Sequence, residues 1–287
     1  MRPSLVLPFL ASCALPPPPA PPQPTPTFAL DDTYATRVSD LRTTLGRAGI
    51  ALRTAGIDRV FASVDCAHPT ELQAFGGCVR CELLGEHTPI DGAVLEATTR
   101  AFAVYPTEVL VASRLDHVAI CSDIVYARAG VPQHPAGTVD LRGRGMLISV
   151  AYFANRQYSP GAGFTVDDIA HHELFHILEH EHMRAEMLDD PEWRVHNPVG
   201  FEYALAANDE PVRPGFVNAY AMTAAVEDRA TVFEYLMAHP DELCALARTD
   251  ELLRTKIAII WRRVARIVGA DVLRRRARCV DWVNREA

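Results

Sequence analysis

Apolar positions in this chain recur at two spacings, and each predicts a different element. Val38, Leu41, Leu45 and Leu52 form one stripe of a helix over residues 33–55. A second helix is predicted over residues 91–104, stopped before Pro106, whose ring disfavours helical backbone in the residue ahead of it. Short apolar runs predict strands at residues 59–64, 108–112 and 117–124. Residues 71–86 hold two cysteines and several glycines and read as an irregular, cross-linked loop. Residues 140–144 are polar and contain glycine, and residues 146–153 are almost continuously apolar, as a strand would be. As the last strand, 146–153 is the candidate edge for pairing with an extended peptide.

Beyond residue 160 the period becomes helical. Thr165 is followed three residues later by Asp168, a capping box with Asp in place of Glu. The helix it opens carries apolar Ala170, Leu174, Phe175, Ile177 and Leu178. Residues 190–203 mix turn dipeptides with Trp193, Phe201 and Tyr203, and read as an ordered loop lining a cleft. Val226, Ala230, Phe233 and Met237 give the buried stripe of a helix over residues 223–238, with Thr223 as its cap. Pro240 starts another helix, and residues 251–268 form a longer amphipathic one. Arg274, Arg275 and Arg276 read as a solvated face. The predicted class is α+β: a mixed sheet, a helix packed on it, and a helical C-terminal part.

The capped helix contains His172-Glu173-Leu174-Phe175-His176. Residues i and i+4 lie one above the other on a helix, so both imidazoles can address one metal ion. Two such ligands leave room for a third ligand and a water, and Glu173 beside them can take that water's proton. The pattern arises by chance in roughly a few per cent of chains this long, but its capped, half-apolar helical setting suits a metal site. His117 on a strand reads as structural rather than as a ligand.

Composition places this chemistry. Met1 to Leu10 resembles a short export signal, with Arg2 ahead of an apolar run too short to span a membrane. Leu10-Ala11-Ser12-Cys13 fits a bacterial lipobox, in which Cys13 is lipidated after cleavage. Residues 14–27 are dominated by proline and form a semi-rigid spacer. The expected organisation is a signal peptide at 1–12, a lipid-anchored proline-rich tether at 13–27 and one domain at 28–287, an exported lipoprotein facing the periplasm or cell surface. The net charge of −8 disfavours nucleic acid as a partner. The basic residues are almost all arginine, with Lys256 the single lysine. Of seven cysteines, setting Cys13 aside leaves Cys66, Cys78, Cys81, Cys121, Cys244 and Cys279, an even set that suits disulfides in an oxidising compartment. Cys78-x-x-Cys81 has no second such pair and is a weak metal signal.

The third ligand has two candidates. His182 lies six residues after His176, the spacing used by metzincins, but Glu179 stands where that pattern needs a turn-forming glycine. His180 and His182 then read as a solvated helix end. Glu227 sits near the start of the 223–238 helix, where an acid also favours the helix dipole. Tyr220 precedes Glu227 by seven residues, within Tyr-Ala-x-Thr-x-x-x-Glu-x-x-Ala-x-x-Phe. This segment resembles the third-ligand helix of gluzincin peptidases related to the anthrax lethal factor catalytic domain. Asn197-Pro198-Val199-Gly200-Phe201-Glu202-Tyr203 is also similar to zinc metallopeptidases found among bacterial lipoproteins. The resemblance implies a zincin-like fold, a Zn2+ cofactor and a peptide or protein substrate. It implies His172, His176 and Glu227 as metal ligands, Glu173 as general base and Tyr220 as the oxyanion donor. One departure stands out: lethal factor carries a second acid four residues after its ligand Glu, where this chain has Thr231. The reading is zinc-dependent peptide hydrolysis by a lipid-anchored protein. The alternatives are a non-catalytic binding lipoprotein of the same fold, against which the intact Glu173 speaks, and an exported structural protein with an incidental motif.

Overall fold

The strand β3 (His117–Arg128) sets the architecture, because both of its faces are buried. Side chains alternate across a strand. Val118 and Ile120 enter the main core and Ala119 and Cys121 a smaller cluster on the other face, which Ile124 joins because the β2–β3 register shifts at Ser122. The computed structural model describes residues 33–54, 79–84, 89–128, 131–141, 144–154, 164–204 and 210–277. Within these, β3 pairs in parallel with β1 (Ala51–Arg53) and β6 (Gly145–Ser149), and antiparallel with β2 (Val79–Leu83) and β4 (Val131–Gln133). The strand β5 (Gly137–Asp140) adds antiparallel to β6. The order β1-β3-β6-β5 makes β5 the edge at that side, and β6 an interior strand.

Several sequence expectations are corrected here. The helix α1 (Tyr34–Gly46) ends well before residue 55. Gly49 takes a left-handed φ of 75°, open to glycine at no steric cost, and the chain enters β1. Leu52, assigned above to a helical stripe, is a strand residue. Part of the expected 71–86 loop is β2, and its Cys81 forms a disulfide with Cys121 of β3. Residues 59–64 and Cys78 lie outside the described residues, as do Met1 to Thr27 with Cys13.

The helix α2 (Pro89–Ala103) matches its expectation. Residues 108–112, expected as a strand, belong to the helix α3 (Thr107–Ala112). The burial pattern shows why: Val109 and Leu110 are buried while Val111 is 55% exposed, whereas a strand would put Val109 and Val111 on one face. The 146–153 run is strand only to Ser149. There the Ser149 Oγ accepts a hydrogen bond from the Tyr152 amide, and the helix α4 (Val150–Ala154) begins. The strand expected to be an edge is therefore interior, and β5 takes the edge.

The remaining helices are α5 (Val166–His182), α6 (Arg184–Leu188), α7 (Pro191–Arg194), α8 (Ala225–Ala238), α9 (Pro240–Ala247), α10 (Glu251–Val264) and α11 (Ala270–Arg276). A π-helical turn, Ala265–Gly269, joins the last two. Thr223 does not cap α8 as expected. Its hydroxyl donates to the Tyr220 carbonyl and closes a 3-10 turn ahead of the helix. The helix α5 packs between the β5–β6 side of the sheet and α8, so the motif helix is held on both flanks. Among the described residues no helix is long and apolar enough to cross a membrane.

Candidate metal centre

The site is built outward from the start of α5. Thr165 Oγ1 accepts from the Asp168 amide at 3.3 Å, and Asp168 Oδ2 accepts from the Thr165 amide at 2.6 Å, completing the capping box. Such a cap stabilises a helix by roughly 1 kcal/mol. His239, the residue before α9, lies 2.7 Å from the other Asp168 oxygen and ties the cap to the C-terminal helices. Every residue from Asp168 to Glu179 is buried. His172 and His176 share a face as their spacing requires, with ring centroids 4.8 Å apart.

Glu227 meets them from the first turn of α8. Its Oε2 lies 3.0 Å from His172 Nε2 and 3.5 Å from His176 Nε2. The three donor atoms lie within 4.8 Å of one another, the one such group of His, Cys, Asp or Glu found among the described residues. Two imidazole nitrogens and one carboxylate oxygen are the donor set of a catalytic zinc, and they fit that ion here. Burial works to raise the Glu227 carboxyl, but His176 and His172 outweigh it and hold the group well below its usual range.

The other nitrogen of His172 is also engaged. Its Nδ1 lies 2.9 Å from Oε2 of Glu234, a fully buried carboxylate on α8. Desolvation disfavours a charged imidazole, yet the bonds to Glu227 and Glu234 prevail and raise its pKa well above the ordinary value. In the neutral ring a carboxylate at Nδ1 favours the proton there, which would leave the Nε2 lone pair for a metal ion. Sequence reading missed Glu234. Its signal was the seven-residue step from Glu227, two helical turns on the same face.

Glu173 is buried beside the imidazoles, and burial raises its pKa while His172 and His176 pull the other way. Tyr220 occupies the 3-10 turn Tyr220–Met222, with its ring centroid 5.8 Å from that of His172 and 6.1 Å from that of Phe164. The donor atoms of His172, His176 and Glu227 thus converge, with Glu173 buried next to them and the Tyr220 ring beside His172.

Two buried ionic clusters hold the α5–α8 pair in place. Glu179 of α5 accepts from Arg229 of α8, and Arg229 also approaches Asp190, the N-cap of α7. Arg263 of α10 donates to both Asp190 oxygens, at 2.6 and 2.9 Å. Next to Glu227, Asp228 Oδ2 accepts from Lys256 Nζ at 2.7 Å, from Trp193 Nε1 at 2.8 Å and from the Tyr203 hydroxyl at 2.8 Å. Lys256 also donates to the Gly215 carbonyl at 2.9 Å and lies 3.9 Å from the Phe216 ring centroid. Phe216 packs on Ala221 and Met222, so Lys256 links the Tyr220 turn to the Glu227 helix.

The remaining candidates lie elsewhere. His182 Nε2 is 2.9 Å from the Ala112 carbonyl on the exposed end of α5, and His180 pairs with Glu181. His117 is buried at the start of β3, and burial lowers its pKa. Neither His182 nor His117 joins the donor group.

No family model matches the chain, and no curated protein matches it. One crystal structure, described as a "putative zinc-binding metallo-peptidase" from Bacteroides caccae, aligns over 90% of this chain and 97% of that one. The alignment has 13% identity and a TM-score of 0.47.

Proposed function

We propose that this chain is a zinc-dependent peptidase of the gluzincin type, with a zincin-like α+β fold. One observation carries the reading: His172, His176 and Glu227 direct their donor atoms to a common point within 4.8 Å of one another. Zinc held there supplies Lewis acidity toward a peptide carbonyl and acidifies water. Glu173 takes the proton of the attacking water and returns it to the leaving amine. Tyr220 donates its phenolic hydrogen to the oxyanion that develops on the substrate. Glu234 fixes the His172 ring. The backbone of β5 provides an edge against which an extended peptide can lie.

The test combines metal content with cleavage. The purified domain should hold one zinc per chain and cut peptides from a mixed library. Glu173→Gln should retain the zinc and lose turnover by about 100- to 10,000-fold. Near wild-type turnover in that variant, or a wild-type protein without stoichiometric zinc, would end the proposal.

The same proposal includes export and anchoring through Cys13. The Cys81–Cys121 disulfide supports an oxidising compartment. Cys13→Ser should move the protein from the membrane to the soluble fraction, and unchanged partitioning would refute the anchor.

A further inference from the structure

Gly137 opens the edge strand β5. Its φ is not positive, unlike those of Gly49, Gly200, Gly215 and Gly269, so its backbone conformation alone does not call for glycine. The space around it does. A Cβ built on Gly137 would overlap the Ile169 Cγ2 methyl, and would lie 3.1 Å from Glu173 Cγ and 3.2 Å from Glu173 Oε1. The strand backbone thus runs directly against the base-bearing side of α5, with Ile169 and Glu173 one helical turn apart. Gly137 is also pinned there by its pairing with Ile148 of β6.

We propose that Gly137 is a positioning residue for the proton-accepting carboxylate of Glu173. The missing side chain leaves a space that the Ile169 methyl enters and the Glu173 carboxylate borders, and any larger residue presses on both. The inference rests on the peptidase reading of Glu173 and adds a residue outside the motif. Burial strengthens the argument. Glu173 lies against the His172–His176 pair as well as β5, so displacement by an added methyl moves the carboxylate relative to both imidazoles rather than harmlessly into solvent. A misplacement of about 1 Å in reacting geometry costs on the order of 100-fold in rate, and the smaller shift that contacts of 3.1 and 3.2 Å demand costs part of that.

Gly137→Ala alone would clash with Ile169 and risk misfolding. Gly137→Ala combined with Ile169→Leu avoids this, because leucine has no branch at Cβ and lacks the clashing methyl. Zinc affinity, thermal midpoint, peptidase kcat and KM, and a crystal structure would be compared with Ile169→Leu alone. The expected double variant keeps the thermal midpoint and zinc affinity of the control. Its kcat falls about 3- to 10-fold at little changed KM, and its Glu173 carboxylate is displaced. Unchanged kcat, an unmoved Glu173, or a rate loss that merely follows zinc loss would each overturn the inference. Should the wild type cleave nothing, the peptidase reading fails, while the position of Glu173 in the double variant still decides the role of Gly137.

Discussion

Nδ1 of His172 lies 2.9 Å from Oε2 of Glu234, so the metal-directed imidazole is held from behind by an acid seven residues beyond Glu227. Outer carboxylates of this kind orient the ring and raise its basicity toward a metal. Glu234→Gln keeps the volume but removes the charge. Its zinc affinity, read by chelator competition, should fall about 10- to 100-fold. An unchanged affinity would remove Glu234 from this role.

Glu227 and His182 separate two ways of completing the ligand set. Glu227 faces both motif histidines, while His182 faces the Ala112 carbonyl at the far end of α5. Glu227→Ala should abolish stoichiometric zinc after dialysis, and His182→Ala should keep it. The opposite pair of metal contents would overturn the gluzincin assignment.

Glu179 and Arg229 form a buried pair between the two site helices. Removing one member strands the other charge away from water, at a typical cost of about 3–5 kcal/mol. Arg229→Met should lose stability on that scale in urea unfolding. Glu179→Leu combined with Arg229→Met should recover most of it, since matched apolar replacements remove the uncompensated charge. A single variant within about 1 kcal/mol of wild type would show that the pair is weakly coupled to folding.

Asp190 gives the fold an acid-sensitive clasp. Burial works to raise its carboxyl, but hydrogen bonds from Arg263 and from the Trp193 amide, with the Arg229 charge, hold it below the ordinary value. A depressed folded-state pKa stabilises fully above the unfolded value, near 3.9, and that contribution is lost as pH falls through the lower folded value. Urea midpoints for Asp190→Asn should be lower than wild type at neutral pH and decline less steeply below about pH 4. Parallel pH profiles for the two proteins would contradict this.

The site was more legible than the fold around it. Thr165, Asp168, His172, Glu173 and His176 form a local code, because capping and i,i+4 spacing act within a few residues of one helix. Glu227 stands out as a candidate from its place on a predicted helix, but its preference over His182 and the role of Tyr220 lean on resemblance, since nothing local says that α8 will lie across α5. Glu234 and Gly137 escaped for a tertiary reason: one acquires its role from a ring on α5, and the other from the closeness of two packed elements. Glu179 was noticed as the wrong residue for a metzincin turn, and the structure gives it a positive use as the partner of Arg229. The α3 error has a simpler origin. Glu108-Val109-Leu110-Val111-Ala112 is too short for its period to separate strand from helix, and β-branched valine tilts the choice toward strand.

Lys256 has a practical consequence. It is the chain's single lysine, and its ammonium group is closed off beneath Phe216 and Trp193 and bound to Asp228. The folded domain consequently presents no lysine amine to its surroundings, so acylating reagents and lysine-directed cross-linkers find no ε-amine target on its surface. Modification of that one amine becomes a chemical clock for the opening of the α8–α10 seam. Chains caught with an acylated Lys256 are those that had parted at the foundation of the candidate metal centre.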